Sequence, residues 1–373
     1  MKLSIPRAEL QRGLARLQAI VEKRNSMPIL ANALLRATKG DHPALEIAAT
    51  DLEVGIRGIQ KAEVSKAGAI TVAARKLFEI VRELPDEPVA LAATPNSYLE
   101  LQCGRSRFTI AGTAAEEFPT LPEVAPTALV RLPATVIANL IERTSYAASV
   151  DETRYNLNGV YFELVDDRTK IRMVATDGHR LALIDRPIAG GAPDLASGVI
   201  LPRKGLAELK RLVDEEDADE IEIGIEGNSA LARKGDVTLT MRLIEGEFPN
   251  YRQVLPKTSS RRITLSADAL NQALRRVALL SVERSKAVRV ELTSGCLKLS
   301  ATNPDLGEAS EEIDIDYAGD SISVGFNARY LLDSLSAFRT KEVELGLEDE
   351  MSPAVLRPTE DTETLAVVMP MRL

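Results

Sequence analysis

Three stretches far apart in the chain share one alternation of apolar and polar residues. They are LEIAATDLE (45–53), IRMVATDGH (171–179) and LKLSATNPD (297–305). Leu45, Ile47 and Ala49 alternate with polar or small neighbours, as do Ile171, Met173 and Ala175, and Leu297, Leu299 and Ala301. A period of two reads as a half-buried strand, and the Thr-Asp or Thr-Asn step after it as a turn. Thr50, Thr176 and Thr302 follow one another at intervals of 126 residues. Between these strands, apolar stripes at i, i+4 spacing predict helices over 7–24, 74–85, 133–146, 202–213, 266–286 and 327–341. Leu10 with Leu14, Ile137 with Ile141, and Leu270 with Leu274 carry three of the stripes, and Ser266 is placed to cap its helix. Arg75, Arg203 and Arg329 open the other three helices at near-equal spacing. EEFP (116–119) and GEFP (246–249) close the first two copies, each followed by a proline-containing link. The pattern predicts an α+β chain of three repeated domains, 1–124, 125–255 and 256–373. Each has two helices packed on an antiparallel sheet and a core of its own.

Composition narrows the class. With 373 residues and 45% apolar content the chain has ample material for such cores, built from aliphatic residues because it has no Trp and only 4% aromatics. No run approaches the roughly 18 apolar residues of a membrane span, and the cytoplasm is the expected compartment. Cys103 and Cys296 have no CxxC partner and read as buried free thiols. No His, Cys or carboxylate cluster suggests a metal, and no cofactor is expected.

Charge changes the picture further. The net of −9 argues at first against a nucleic-acid partner. Over the six predicted helices, however, the net is +11, leaving −20 for the rest of the chain. Segments such as DEEDADEIEI (214–223) hold the acid. A basic helical surface suits phosphates without reading bases, which implies sequence-independent, salt-sensitive contact with duplex DNA. Nothing resembles a stacking platform or a base-reading motif.

The segment VATDGHRLAL (174–183) gathers Asp177, Gly178, His179 and Arg180 in the manner of an active site. Only one of the three copies carries the His, and no nucleophile motif such as G-x-S-x-G accompanies it. The turn therefore reads as structural. A hydrolase built on Asp177, His179 and Arg180, or an interaction scaffold that never touches DNA, stand as the alternatives.

The chain resembles the bacterial DNA polymerase III beta subunit family, the processivity sliding clamps, along essentially its whole length. The resemblance rests on MPIL (27–30) after Arg24, ATDGHRLA (175–182), PRKG (202–205), FPNYRQVLP (248–256) and VVMPMRL (367–373). It implies a ring-shaped homodimer of six domains, helices lining the hole, that encircles duplex DNA and tethers the replicative polymerase without catalysis of its own. No Walker motif is present, so an external clamp loader is implied. Other implied partners are the polymerase alpha subunit and proteins with a clamp-binding peptide, such as repair polymerases. The resemblance places a peptide pocket at Leu157, Thr176, Gly178, His179, Arg180, Leu181, Pro249 and Val254. Val367, Val368, Met369, Pro370, Met371, Arg372 and Leu373 would complete it. It places DNA contacts at Arg24, Arg75, Arg154, Tyr155, Arg203 and Lys204. At the dimer contact, Phe108 and Ile110 would meet Leu279 and Leu280. Lys76, Arg105 and Arg107 would oppose Glu308, Glu311 and Glu312. Asn156, Asp151 and Gln253 depart from the family's usual aromatic, amide and arginine.

Overall fold

A computed structural model describes the chain apart from residues 22–26, 123–128, 189–192, 194, 196, 216–217, 257–258 and 373. The first third runs β1 (Lys2–Ile5), α1 (Arg7–Leu17), β2 (Asn32–Thr38), β3 (Ala44–Thr50), β4 (Val54–Lys61), β5 (Glu63–Lys66), β6 (Gly68–Ala73), α2 (Ala74–Glu83), β7 (Val89–Ala93), β8 (Tyr98–Cys103) and β9 (Ser106–Thr113). The middle runs β10 (Val130–Pro133), α3 (Ala134–Glu142), β11 (Gly159–Val165), β12 (Lys170–Thr176), β13 (Arg180–Pro187), β14 (Val199–Pro202), α4 (Arg203–Asp214), β15 (Glu220–Glu226), β16 (Ser229–Lys234) and β17 (Val237–Arg242). The last runs β18 (Arg261–Ser266), α5 (Ala267–Val277), β19 (Ala287–Thr293), β20 (Cys296–Asn303), β21 (Gly307–Asp314), β22 (Ile322–Asn327), α6 (Ala328–Phe338), β23 (Glu342–Leu347), β24 (Ala354–Pro358) and β25 (Thr364–Val368). The order is the same three times, with β5 the one addition.

The chain forms two compact units, Met1–Thr135 with Lys204–Leu243, and Val136–Arg203 with Ile244–Leu373. The middle copy is thus divided between them, where the sequence pattern suggests a separate core. Backbone pairing explains the division. In the first unit β17 pairs antiparallel with β4, Thr240 opposite Gly55, and this continues one sheet through 13 strands. In the second, β25 pairs with β13, Val367 opposite Leu181, within an eight-stranded sheet. A four-stranded sheet, β21-β20-β19-β22, completes that unit. The strand after each of the first two Thr-Asp turns thus takes the last strand of the following copy as its neighbour.

β21 follows the third such turn, and among the described residues it pairs with β20 alone. β9, the last strand of the first copy, pairs with β8 along its length and touches β6 only at Gly112 and Thr113. Among the described residues, β21 and most of β9 therefore each keep an edge with unpaired backbone groups, where the equivalent strands of the other copies have a neighbour.

The helices are shorter than the periodicity suggests. Ser266 caps α5 by accepting from the Ala269 N–H at 3.2 Å, and Asn327 caps α6 through the Arg329 N–H at 2.9 Å. α6 ends at Arg339, whose φ of 48° turns the backbone out of the helix. Several basic residues assigned to helices from sequence, among them Arg143, Arg284, Lys286 and Arg339, lie beyond the helix ends. Among the described residues, six α-helices hold thirteen basic and eight acidic residues, a net of +5 rather than +11. The segregation keeps its sign and loses about half its size. In the last copy Leu270, Leu274, Leu331 and Phe338 of the two helices share one core with Val290, Leu299, Leu345 and Leu356 of the strands. Each such side chain contributes about 1.5–3 kcal/mol by leaving water. Cys103 is buried as expected, whereas Cys296 is only half-buried.

Candidate functional site

The turn between β12 and β13 is built by its own side chains. Thr176 Oγ1 donates to the Arg180 carbonyl at 2.6 Å and accepts from the Gly178 N–H at 3.1 Å. Asp177 Oδ1 accepts from the His179 and Arg180 N–H groups at 2.9 and 3.0 Å. The first copy repeats this arrangement. Thr50 donates to the Val54 carbonyl and accepts from the Leu52 N–H, while Asp51 Oδ1 accepts from the Glu53 and Val54 N–H groups. Leu52, at φ 80°, stands where Gly178 has φ 89°. The third turn departs from the pattern. Thr302 pairs with Glu308, six residues on, where Thr176 pairs with Leu181, five residues on. Asp177 and Arg180 are thus occupied in folding this turn.

Arg180 goes further. Its side chain is 10% exposed; Nε donates to Asp177 Oδ2 at 3.0 Å and Nη1 to Asp333 Oδ2 at 2.6 Å. The guanidinium lies 4.7 Å over the Tyr330 ring and 5.5 Å from that of Tyr146. His179 is exposed and stacks on Tyr330 at 6.4 Å, and its carbonyl accepts the Met369 N–H at 2.9 Å. None of these contacts sets a base beside a nucleophile. Among the described residues there is no cluster of His, Cys, Asp and Glu fit to hold a metal, and no helix long and apolar enough to cross a membrane.

Beside the turn lies a mostly apolar cavity of about 130 Å³. Nine of the residues named from sequence line it: Leu157, Thr176, Gly178, Arg180, Leu181, Pro249, Val254, Val367 and Met369. Its size approaches that of an engineered cavity of about 150 Å³ that takes benzene. His179, Pro370 and Met371 do not line it, and Arg372 lines a different cavity. Val368 does not line it either. Strand alternation sends Val367 toward the cavity and Val368, fully buried, into the core of the last copy. Leu373 lies outside the described residues.

Two further lining residues, Asn250 and Tyr251, lie within FPNYRQVLP (248–256) but are not among the pocket positions the resemblance names. Tyr251 is buried and donates its hydroxyl hydrogen to Glu163, which also accepts from Arg252 at 2.8 and 3.0 Å. Arg172 donates to the Tyr251 oxygen at 3.2 Å and grips Asp185 through two bonds of 2.7 and 2.6 Å. Burial, then the bond to Glu163, pushes the Tyr251 phenol up to about 12. The cavity wall therefore rests on a paired polar network that holds this tyrosine in place and uncharged.

The residues assigned to DNA fall into two groups. Arg154, Tyr155 and Arg203 are exposed, Tyr155 by 59%. Arg154 also donates to the Asp177 carbonyl at 3.3 Å, beside the cavity turn. Lys204 is half-buried and ion-paired with Asp51, and Arg75 is half-buried and donates to the Val21 carbonyl at 2.6 Å, fastening the segment after α1. Arg24 lies outside the described residues. Asp151 accepts from the Thr153 N–H at 3.0 Å and starts a short 3-10 turn, a structural use of its carboxylate. Asn156 donates to the Glu247 carbonyl at 2.9 Å.

On β9, Phe108 is 38% exposed and Ile110 half-buried; in the short turn after α5 that packs beside β21, Leu279 is 77% exposed and Leu280 half-buried. Arg105, Arg107, Glu308 and Glu312 are exposed. Lys76 is paired with Glu79 on its own helix, and Glu311 accepts from Arg276 at 2.8 Å.

Models of the N-terminal, central and C-terminal domains of the DNA polymerase III beta subunit match residues 1–122, 131–250 and 252–372. The chain is 38% identical to the beta sliding clamp of Caulobacter vibrioides strain NA1000 and 36% to that of Escherichia coli K12, each over the full length of both proteins. A crystal structure of the Caulobacter crescentus beta sliding clamp superposes with a TM-score of 0.93 at 37% identity, with full coverage of both chains. One from Bartonella birtlesii, bound to griselimycin, gives 0.94 at 35%, again with full coverage of both.

Proposed function

Because the chain belongs to the DNA polymerase III beta subunit family and is a processivity clamp rather than an enzyme, we propose that it works as a homodimeric ring around duplex DNA. Its three domains divide at 1–124, 125–255 and 256–373. Its tether to polymerase and other partners is a short peptide seated beside Thr176, Leu181, Val254, Val367 and Met369.

The observation that carries the ring is that β9 and β21 lack, among the described residues, the partner that their equivalents have in the other copies. β4 and β13 each receive the last strand of the following copy, Gly55 opposite Thr240 and Leu181 opposite Val367. The same rule applied to β21 calls for the last strand of a first copy, and within a homodimer that is the partner's β9. The register follows from the hairpins. Thr302 faces Glu308 as Thr176 faces Leu181, and the turn glycines Gly104 and Gly235 set Thr109 equivalent to Thr240. Glu308 then opposes Thr109, Ala309 opposes Phe108, and Ser310 opposes Arg107. Arg107 would sit between Glu308 and Glu312 on the outer face. Phe108 and Ile110 would face inward near Leu279 and Leu280. Ion pairs at an exposed edge are worth little, so the backbone ladder and the apolar side chains hold the contact.

Closed around DNA, such a ring needs no tight grip. Exposed cations such as Arg154 and Arg203 supply weak phosphate contacts, and the acidic remainder of the chain disfavours binding elsewhere. Arg180 holds the turn beside the pocket, while the apolar lining accepts an aliphatic side chain from the partner peptide.

A cysteine pair tests the register. Arg107→Cys with Ser310→Cys forms a covalent dimer on a non-reducing gel. Arg107→Cys with Glu311→Cys does not, because adjacent strand residues face opposite ways. Equal cross-linking of both pairs, or of neither, overturns the proposed pairing.

A further inference from the structure

The end of β25 leads from one cavity to another. Met369 lines the peptide pocket, and three residues later Arg372 lines a separate cavity of about 300 Å³. The backbone explains the link: the Met371 N–H donates to the Gly325 carbonyl at 2.8 Å, which lays the tail against β22. Gly325 pairs with Arg289 on β19, and Arg289 pairs with Ser300 on β20. Met371, Gly325, Arg289 and Ser300 therefore form one row across the sheet, and Arg372 arrives beside Arg289.

The chemistry of this cavity is one-sided. Two arginines and the hydroxyls of Ser285, Ser300 and Thr302 line it, and among the described residues no carboxylate does, in a chain whose net charge is −9. Val288 and Val290 point into the core, which leaves Arg289 on the open face of the strand with a long bond of 3.3 Å to Ser323. Its fork of donors is largely unspent, and guanidinium groups bind carboxylates and phosphates with paired hydrogen bonds.

We propose that this cavity is an anion subsite, Arg289 and Arg372 receiving an aspartate or glutamate side chain of the same peptide that fills the neighbouring pocket. The inference rests on the peptide reading above and adds a charge requirement to it. Three extended residues span about 10 Å, so the acidic residue lies some three or four positions from the apolar anchor. The serine and threonine hydroxyls orient the carboxylate, and the tail at Pro370 and Met371 forms the strip between the sites. Partners with an acidic residue at that distance bind more tightly than those with the same anchor alone.

The test uses a set of fluorescein-labelled synthetic peptides with one constant apolar anchor and a glutamate moved from one to six positions on either side of it. Kd values are read by fluorescence polarisation on the full-length protein. The expected result is a gain of about tenfold at one glutamate position over its glutamine counterpart, as one charge-assisted pair supplies. Arg289→Gln abolishes that gain and leaves the glutamine peptide's Kd unchanged, and Arg289→Lys restores only part of it. Inorganic phosphate at millimolar concentration competes with the gain and not with the anchor. A gain that survives Arg289→Gln, or glutamate affinities equal at every position, overturns the subsite. Failure of every peptide to bind overturns instead the peptide reading on which it rests. Circular dichroism of Arg289→Gln confirms that the sheet is intact, since Arg289 is exposed.

Discussion

Replacing Arg180 with glutamine tests whether its charge serves the fold of the pocket turn. The change removes a guanidinium that is 10% exposed and paired with Asp177 at 3.0 Å and Asp333 at 2.6 Å. Breaking a buried pair from one side costs about 3–5 kcal/mol. Here Asp333 is 32% exposed and Asp177 keeps its two backbone N–H bonds, which reduces the cost to about 2 kcal/mol. Loss of the stack on Tyr330 adds about 0.5–1 kcal/mol. A single unfolding midpoint is poorly defined in a chain of several domains, so the readout is native-state hydrogen exchange. The Met369 amide, which donates to His179, and the amides of β13 and β25 should exchange at least about thirty times faster, the factor corresponding to 2 kcal/mol. Adding Asp333→Asn removes one stranded carboxylate and should recover roughly half of the loss. An acceleration below about threefold, or two substitutions whose effects simply add, would refute the reasoning.

Further consequences follow from the same geometry. Tyr146 and Tyr251 are both held up to about 12 by burial, so their ultraviolet titration should come last among the seven tyrosines, and Tyr251→Phe should remove one of the two late steps. The sign is fixed by linkage: the unfolded phenols ionise near pH 10 and the folded ones near 12, so stability falls as pH rises through that window and is indifferent to these groups below it. Phe108→Asp or Leu279→Asp should convert the dimer to monomer in analytical ultracentrifugation at micromolar concentration, whereas Arg105→Ala should weaken it less than about tenfold. Deleting Met369 to Leu373 should abolish polymerase stimulation while leaving the dimer intact; persistence of stimulation would show that the pocket is elsewhere.

The repeated Thr-Asp turn is plain in the sequence because its residues fold it locally. The Thr side chain spans the turn and the Asp caps it, so the motif carries its own geometry. The third version misleads, since the spacing of the other two turns would set Gly307 opposite Thr302. One extra residue intervenes: the turn falls at 304–306, Gly307, at φ 116°, already pairs with Asn303, and Glu308 faces Thr302 instead. The pocket is legible only in part. Val367 and Val368 look equivalent in VVMPMRL, yet a period of two sends one to the cavity and the other to the core. Tyr251 stays hidden because its place depends on Glu163 and Arg172, 88 and 79 residues away in sequence. Apolar periodicity overcounts the basic helices for a local reason, since it does not mark where a helix ends and the last turns are rich in Lys and Arg. The free edges of β9 and β21 depend on which strands pair at long range, and alternation along one strand says nothing about its neighbours.

The measurement that bears most directly on the central claim is topological. The protein is loaded onto nicked circular DNA with a clamp loader and ATP, separated from free protein by gel filtration, and the circle is then cut once with a restriction enzyme. A ring held by linkage should stay on the circle through a salt wash and leave when the DNA becomes linear. Retention on linear DNA at the same salt would contradict the account and make the basic residues a conventional binding surface.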